Sequence, residues 1–304
     1  MALALVLPLD SASKHPPFVR SSFIAALMER GSRYLKNGLA LNLMGSSGVG
    51  KTTLAITMAR DIGNPVMFVQ GHRDMSISDL VGGYQGYRYH KVIDNFIRDV
   101  VKIDQQVNSF WTEGWLAQAI KNGYTVVFDE FNRVQSEVQA ILLAVLQEQV
   151  LPVSHIGHHQ VIPVHPDFRL IMTSGMPDQV GSYPVLEGLW DRVITMSLDA
   201  LDEESEVMIV QAHAQLPIQE SQQIIRLLRH IRNQSSRQRK APRSGMSPSI
   251  RTGIAIALLL KSEGWSLLDQ QLPPDFSKII QDLCGPMSAA NLKDIEHFLS
   301  AENA

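Results

Sequence analysis

Cysteine is nearly absent: Cys284 is the single one in 304 residues. No internal disulfide can form, which excludes a disulfide-stapled secreted scaffold. One thiolate is also too few for a zinc or iron–sulfur site built on cysteine, so Cys284 reads as a small buried hydrophobe. A basic excess is missing too. Lys+Arg is 27 against Asp+Glu 30, a net charge of −3, and a non-specific nucleic-acid binder is not expected. Long apolar runs are lacking. Residues 1–9 are apolar apart from their surroundings, yet no basic residue precedes them and ~20 apolar residues are needed to span a bilayer. The longest later run is 254–260. Neither a transmembrane segment nor a cleaved leader is expected, and a cytoplasmic location is. A role for the apolar N-terminus on a membrane or a partner stays open. No internal repeat or low-complexity tract is visible.

What is present is a composition that folds. Hydrophobic residues make up 45% and charged residues 19%, which excludes intrinsic disorder, and the length suits two domains. The first two-thirds alternate short apolar runs with helical periodicity, the pattern of a parallel α/β sheet. Strands are expected at 39–44, 66–70, 125–129, 169–173 and 193–198. Most are near-continuous apolar runs, as strands covered on both faces should be. Between them, Leu54, Met58 and Ile62 mark one helix face, and Val138, Ile141, Leu142, Val145 and Leu146 another. Residues 150–154 and 160–164 read as a hairpin. From Glu203 onward the pattern is helical. Residues 232–246, with Arg232, Arg237, Arg239, Lys240 and Arg243, read as a basic loop, followed by a helix start at Ser249 and a last amphipathic stretch at 288–299. The expected organisation is an N-terminal segment (1–20), an α/β nucleotide-binding core (21–200) and a helical lid (201–304).

The decisive segment is Gly45-Ser46-Ser47-Gly48-Val49-Gly50-Lys51-Thr52, followed by Thr53. It fits G-x-x-x-x-G-K-[ST] at every fixed position, between an apolar strand and an amphipathic helix. Glycines let backbone N–H groups surround phosphate oxygens without a Cβ clash, and the helix turns its positive dipole end toward them. Lys51 reaches the β- and γ-phosphates, and Thr52 offers a hydroxyl to Mg²⁺. The strand at 125–129 ends in Asp129-Glu130. Asp129 is suited to hold Mg²⁺ through water, and Glu130 to polarise the attacking water.

A phosphate loop, then an Asp-Glu strand, then a helical C-terminal part resembles the AAA+ ATPases. The resemblance implies a P-loop α/β core with a parallel five-stranded sheet and a smaller helical lid. It also implies ATP hydrolysis with Mg²⁺ and a ring homo-oligomer, six subunits being the family expectation. In that family a polar residue, usually Asn, ends the strand after the Asp-Glu strand; here Thr173 and Ser174 stand there. Leu189-Trp190-Asp191-Arg192 resembles the segment that carries the trans-acting arginine of the MoxR-type branch, which makes Arg192 a catalytic candidate beside Glu130 and Lys51. Arg251 resembles the lid arginine. More narrowly, Asp79-Leu80-Val81-Gly82-Gly83, Gly86-Tyr87-Arg88, Asp94-Asn95-Phe96, Asp129-Glu130-Phe131-Asn132-Arg133 and Leu142-Leu143-Ala144-Val145-Leu146-Gln147-Glu148, with Pro17-Phe18-Val19-Arg20 ahead of them, resemble the gas vesicle protein N family of MoxR-type ATPases. That likeness implies a remodelling chaperone for gas vesicle assembly. Its partners would be shell or assembly proteins, with nucleic acid not among them. The alternative is a MoxR-type chaperone that activates a metalloenzyme or carboxylase, of the nitric oxide reductase or Rubisco type.

Two other groups stand out. Tyr84, Tyr87 and Tyr89, beside Arg88, His90 and Lys91 in a Gly-rich stretch, read as a loop with exposed aromatics, packed on the domain, gripping a polypeptide or stacking on single-stranded nucleic acid. His155, His158 and His159, with His165 nearby, read as exposed turn histidines rather than a metal site.

Overall fold

The computed structural model describes residues 4–7, 18–94, 102–155, 158–176, 181–198, 200–237, 248–268 and 272–284. In chain order the elements begin with β1 (Ala4–Leu7), α1 (Ser22–Lys36), β2 (Ala40–Gly45), α2 (Lys51–Ile62), β3 (Val66–Gln70) and α3 (Ile77–Val81). Then come β4 (Gly82–Asp94), β5 (Lys102–Glu113), α4 (Trp115–Asn122), β6 (Thr125–Asp129), a short 3-10 turn at Phe131–Arg133 and α5 (Ser136–Glu148). Next are β7 (Val150–His155), β8 (His158–Pro163), β9 (Arg169–Ser174), α6 (Glu187–Trp190) and β10 (Val193–Leu198). The remainder is helical: α7 (Glu203–Ala214), α8 (Ile218–Arg237), α9 (Ile250–Glu263) and α10 (Phe276–Cys284).

The central sheet runs β1-β3-β6-β9-β2-β10. The five expected strands are all in it, within one residue of their expected bounds. β3, β6 and β9 pair in parallel, Val66 opposite Thr125 and Thr125 opposite Arg169. Their side chains are mostly apolar and mostly buried, as in strands covered on both faces. The sheet has six strands rather than five. The apolar N-terminus supplies the extra one: β1 lies antiparallel along β3, Leu5 opposite Phe68 and Val6 opposite Met67. A short apolar segment satisfies its backbone groups at a sheet edge, which local sequence cannot foretell.

β2, the strand that leads into the phosphate loop, lies inside the sheet between β9 and β10. In open α/β sheets such an internal strand marks the point where connections diverge, and ligands bind beyond strand carboxyl ends there. The phosphate loop is the segment that leaves β2.

Two compact units make up the chain. One comprises Met1–Leu9, Arg33–Leu43 and Met58–Met196; the other Asp10–Ser32, Met44–Thr57 and Ser197–Ala304. The first unit has a core of sheet and helix side chains including Val69, Leu116, Ile120, Phe128, Leu142 and Met172. Trp115 meets Phe128 edge-on at 5.3 Å. The second has its own core on α7 to α10, including Val210, Ile224, Leu228, Ile256 and Ile280. Cys284 belongs to it, and burial pushes its thiol from 9.0 up to about 11, which leaves it protonated and inert at neutral pH.

Two expected loops are regular structure instead. The tyrosine-rich stretch is β4, paired in a long antiparallel ribbon with β5, Tyr84 opposite Trp111 and Tyr89 opposite Val107. Alternating Tyr residues suit a strand, and the glycines that suggested a loop sit at its start and at the register shift between Gln85 and Tyr87. The expected basic loop begins too early at 232: α8 continues through Arg237. Of the basic residues expected in that loop, Arg232 and Arg237 therefore lie on α8. Residues 238–247 and 285–304, with Arg239, Lys240, Arg243 and the stretch at 288–299, lie outside the described residues. So do the side chains of the β4 tyrosines and of His155, His158 and His159. The hairpin expected around 150–164 is β7 with β8.

Candidate nucleotide site

In the second unit the phosphate loop runs from buried Gly45 through exposed Ser46 and Ser47 into α2. Gly48 has φ +78° and Gly50 φ +94°, conformations that residues with a Cβ rarely adopt. A Cβ built on Gly50 would have no heavy atom within 4 Å, so that side of the loop is open. Lys51 Nζ donates to the carbonyls of Gly45 at 2.8 Å and Ser46 at 2.7 Å. These bonds fold the lysine back over its own loop, with carbonyl oxygens holding the ammonium. Thr52 and Val49 are half-buried, Thr53 is exposed, and Leu54, Ala55, Met58 and Ala59 bury the opposite face of α2. The helix behind the loop is therefore anchored by apolar burial, at ~1.5–3 kcal/mol for each large side chain, and the loop stands at its N-terminus.

In the first unit the carboxyl end of β6 carries a tight polar cluster. Asp129 is 8% exposed. Its Oδ1 accepts a hydrogen bond from Thr173 Oγ1 at 2.6 Å, and the same hydroxyl accepts from the Glu130 backbone N–H at 3.0 Å. The Asp129 carbonyl accepts from Gly71 N at 2.7 Å. Glu130 has φ +53°, a left-handed conformation that is costly for a residue with a side chain and that recurs at functional sites. The turn reverses the chain at the strand end and brings Glu130 Oε2 to 2.9 Å from Arg133 Nε. Gly71 must be glycine here: a Cβ on it would meet the Glu130 carbonyl at 2.6 Å.

Thr173 and Ser174 part company at the end of β9. Both are buried, but Ser174 Oγ donates to Asn42 Oδ1 at 3.1 Å, away from Asp129. Asn42 is a fully buried amide in the middle of β2, and sequence reading missed it. The signal was there as a lone amide within an apolar strand, and buried polar side chains of this kind need partners. Gln139 was missed in the same way. It sits within the apolar face of α5; its Nε2 donates to the carbonyls of Val134 and Pro184, and its Oε1 accepts from Leu186 N at 3.0 Å. It thereby fixes the start of α6, which leads to Arg192.

Arg192 Nη1 donates to the Gly188 carbonyl at 3.1 Å and to Asp191 Oδ2 at 3.2 Å. Arg251, in the second unit, is exposed in the first turn of α9. Ser249, its helix N-cap, lies against Gly48 of the phosphate loop. His165 Nδ1 accepts from Asp167 N at 3.1 Å. Among the described residues no group of three His, Cys, Asp or Glu side chains could hold a metal ion, and no helix is long and apolar enough to cross a membrane.

Comparison with known proteins gives a consistent result. The family model for the AAA domain, dynein-related subfamily, matches residues 40–193. The gas vesicle ATPase GvpN of Ancylobacter aquaticus is 34% identical over 248 residues, covering 81% of this chain and 68% of that protein. The gas vesicle ATPase GvpN of Haloferax mediterranei is 35% identical over 218 residues, covering 71% of this chain and 63% of that protein. Protein NorQ of Paracoccus denitrificans is 26% identical over 197 residues, covering 64% and 66%. The chain thus spans about two thirds of the length of these relatives.

Proposed function

The chain belongs to the AAA ATPases, in the gas vesicle ATPase family, and from that premise we propose that it is a Mg-ATP-hydrolysing remodelling chaperone for gas vesicle assembly or growth. The observation that carries the reading is an open glycine loop with Lys51 and Thr52 in a chain 34% identical to a gas vesicle ATPase. The proposed form is a ring of like subunits, six by family expectation, in the cytoplasm and in association with gas vesicles. The proposed clients are shell or assembly proteins.

The residue types proposed as donors suit ATP and Mg²⁺. Backbone N–H groups of residues 45–53 would bind the phosphates, and Lys51 would exchange its two carbonyl partners for phosphate oxygens. The Thr52 hydroxyl and the Asp129 carboxylate are hard oxygen donors. Two such donors suit Mg²⁺, which keeps waters and substrate phosphates in the rest of its shell. When bound, it neutralises charge on the β- and γ-phosphate oxygens. Thr173 would hold Asp129 in place. Glu130 would accept a hydrogen bond from the attacking water while the water oxygen bonds to the γ-phosphorus and the bond to ADP breaks. Its present ion pair with Arg133 joins two side chains 37% and 53% exposed. Such a pair is worth ~0–1 kcal/mol and yields readily to water. Arg192, delivered by a neighbouring subunit, would stabilise the transferring phosphoryl charge. Arg251 would contact the same nucleotide from the start of α9.

Glu130→Gln tests both levels. Turnover should fall ~10²-fold or more while Mg-ATP affinity stays within about threefold, under 1 kcal/mol. The variant is then expressed in the native cell and purified with ATP. Recovery of small hydrophobic shell subunits supports the gas vesicle role. Recovery of an oxidoreductase or carboxylase in their place moves the function to enzyme activation.

A further inference from the structure

Within the second unit, the phosphate loop is tied to the helical core by a continuous chain of contacts. A Cβ built on Gly48 would lie 2.5 Å from both Cβ and Oγ of Ser249. The loop backbone therefore rests directly on the N-cap of α9, two positions before Arg251. The residue ahead of Ser249 is Pro248. It has no N–H and a fixed φ, so its carbonyl is the one backbone group through which neighbours can hold it. That carbonyl accepts from Arg232 Nε at 2.7 Å.

Arg232 is itself held. Its Nη1 donates to Glu206 Oε1 at 2.5 Å, and Glu206 is 3% exposed. The other oxygen, Oε2, accepts from Arg229 Nε at 2.9 Å, and Arg229 Nη2 donates to the Leu201 carbonyl at 3.0 Å. A buried carboxylate between two guanidiniums is a demanding arrangement, since any partner removed leaves a poorly compensated buried charge. The planar fork of Arg232 serves the carboxylate with one edge and the Pro248 carbonyl with the other. A single lysine ammonium has no such pre-set fork.

We propose that Arg232 is a positioning residue for the nucleotide: through Pro248 and Ser249 it holds the start of α9 against the phosphate loop, and so couples the packing of α7 and α8 to the loop's affinity for a nucleoside triphosphate. The proposal rests on the reading of residues 45–53 as a nucleotide site. Movement of α7 against α8 is then felt at Gly48 through Arg232, Pro248 and Ser249.

Arg232→Lys, in the full chain, keeps a cation beside Glu206. Its melting temperature should stay near that of the wild type, while Mg-ATP binding, measured by titration calorimetry, weakens about tenfold, the equivalent of one lost hydrogen bond. Ser249→Gly leaves Arg232 and Glu206 untouched, costs little as a cap and should weaken binding by itself. In the double variant the losses should not multiply, because both act on one route. Unchanged binding in Arg232→Lys, or losses that multiply, overturns the positioning role while nucleotide binding by the wild type stands. A wild-type chain that binds no Mg-ATP overturns the nucleotide reading itself.

Discussion

At the residue scale, one hydroxyl does two jobs. Thr173 Oγ1 donates to Asp129 and accepts from the Glu130 N–H, so it aligns the two acidic residues at the end of β6. Thr173→Val keeps the shape and removes both bonds. A buried carboxylate and a half-buried amide then each lose a partner, at ~1–3 kcal/mol. Urea unfolding should show that loss, and turnover should fall with it because Asp129 is no longer held. If stability and turnover both match the wild type, Thr173 is not what orders the acidic pair. The position was legible as a polar residue ending an apolar strand. Which of Thr173 and Ser174 stands beside Asp129 was not, because adjacent strand residues point to opposite faces and local sequence does not give the register in which Phe128 lies opposite Met172.

At the element scale, the approach of α9 to the phosphate loop imposes its own demand. Gly48 combines φ +78° with a contact that leaves no room for a Cβ. Gly48→Ala is expected to destabilise by ~1–3 kcal/mol and to reduce Mg-ATP binding at least about tenfold, since the loop or Ser249 must move. Chemical denaturation together with an ATP titration checks both; tight binding by a stable variant would mean the loop accommodates the methyl. The sequence motif leaves position 48 unconstrained, so only the contact reveals why glycine stands there. Elements whose periodicity matched their burial, such as α2 and α5, were readable in advance. Strand β1 and the β4–β5 ribbon were not. An edge strand is selected by the strand it pairs with, and tyrosines among glycines suit a loop and a twisted ribbon equally well.

At the scale of the whole molecule, Arg192 sets the test. Within one chain it pairs with exposed Asp191 and the Gly188 carbonyl, contacts weak enough to be exchanged. If it acts on the neighbouring subunit's ATP, Arg192→Ala should retain Mg-ATP binding and lose about 10³-fold in turnover. Mixing it with Glu130→Gln should restore part of the activity, because some interfaces then combine an intact Glu130 with an intact Arg192. Inactive mixtures of stable assemblies would place the arginine's role within its own chain. Phosphate release at varied mixing ratios gives the measurement.

By itself the sequence determined the chemistry-bearing strings: the phosphate loop, the Asp-Glu strand end, five apolar strands and a helical C-terminal third. These are local patterns, set by backbone sterics, periodicity and the donors that a phosphate requires. Tertiary structure alone decided the rest. It paired the N-terminal run with β3, turned Thr173 rather than Ser174 toward Asp129, drew Asn42 and Gln139 into buried hydrogen bonds, and joined Glu206, Arg229 and Arg232 into the support beneath α9. Each of those outcomes depends on which distant residue removes a polar group or an apolar face from water, and that choice is made only when the elements pack.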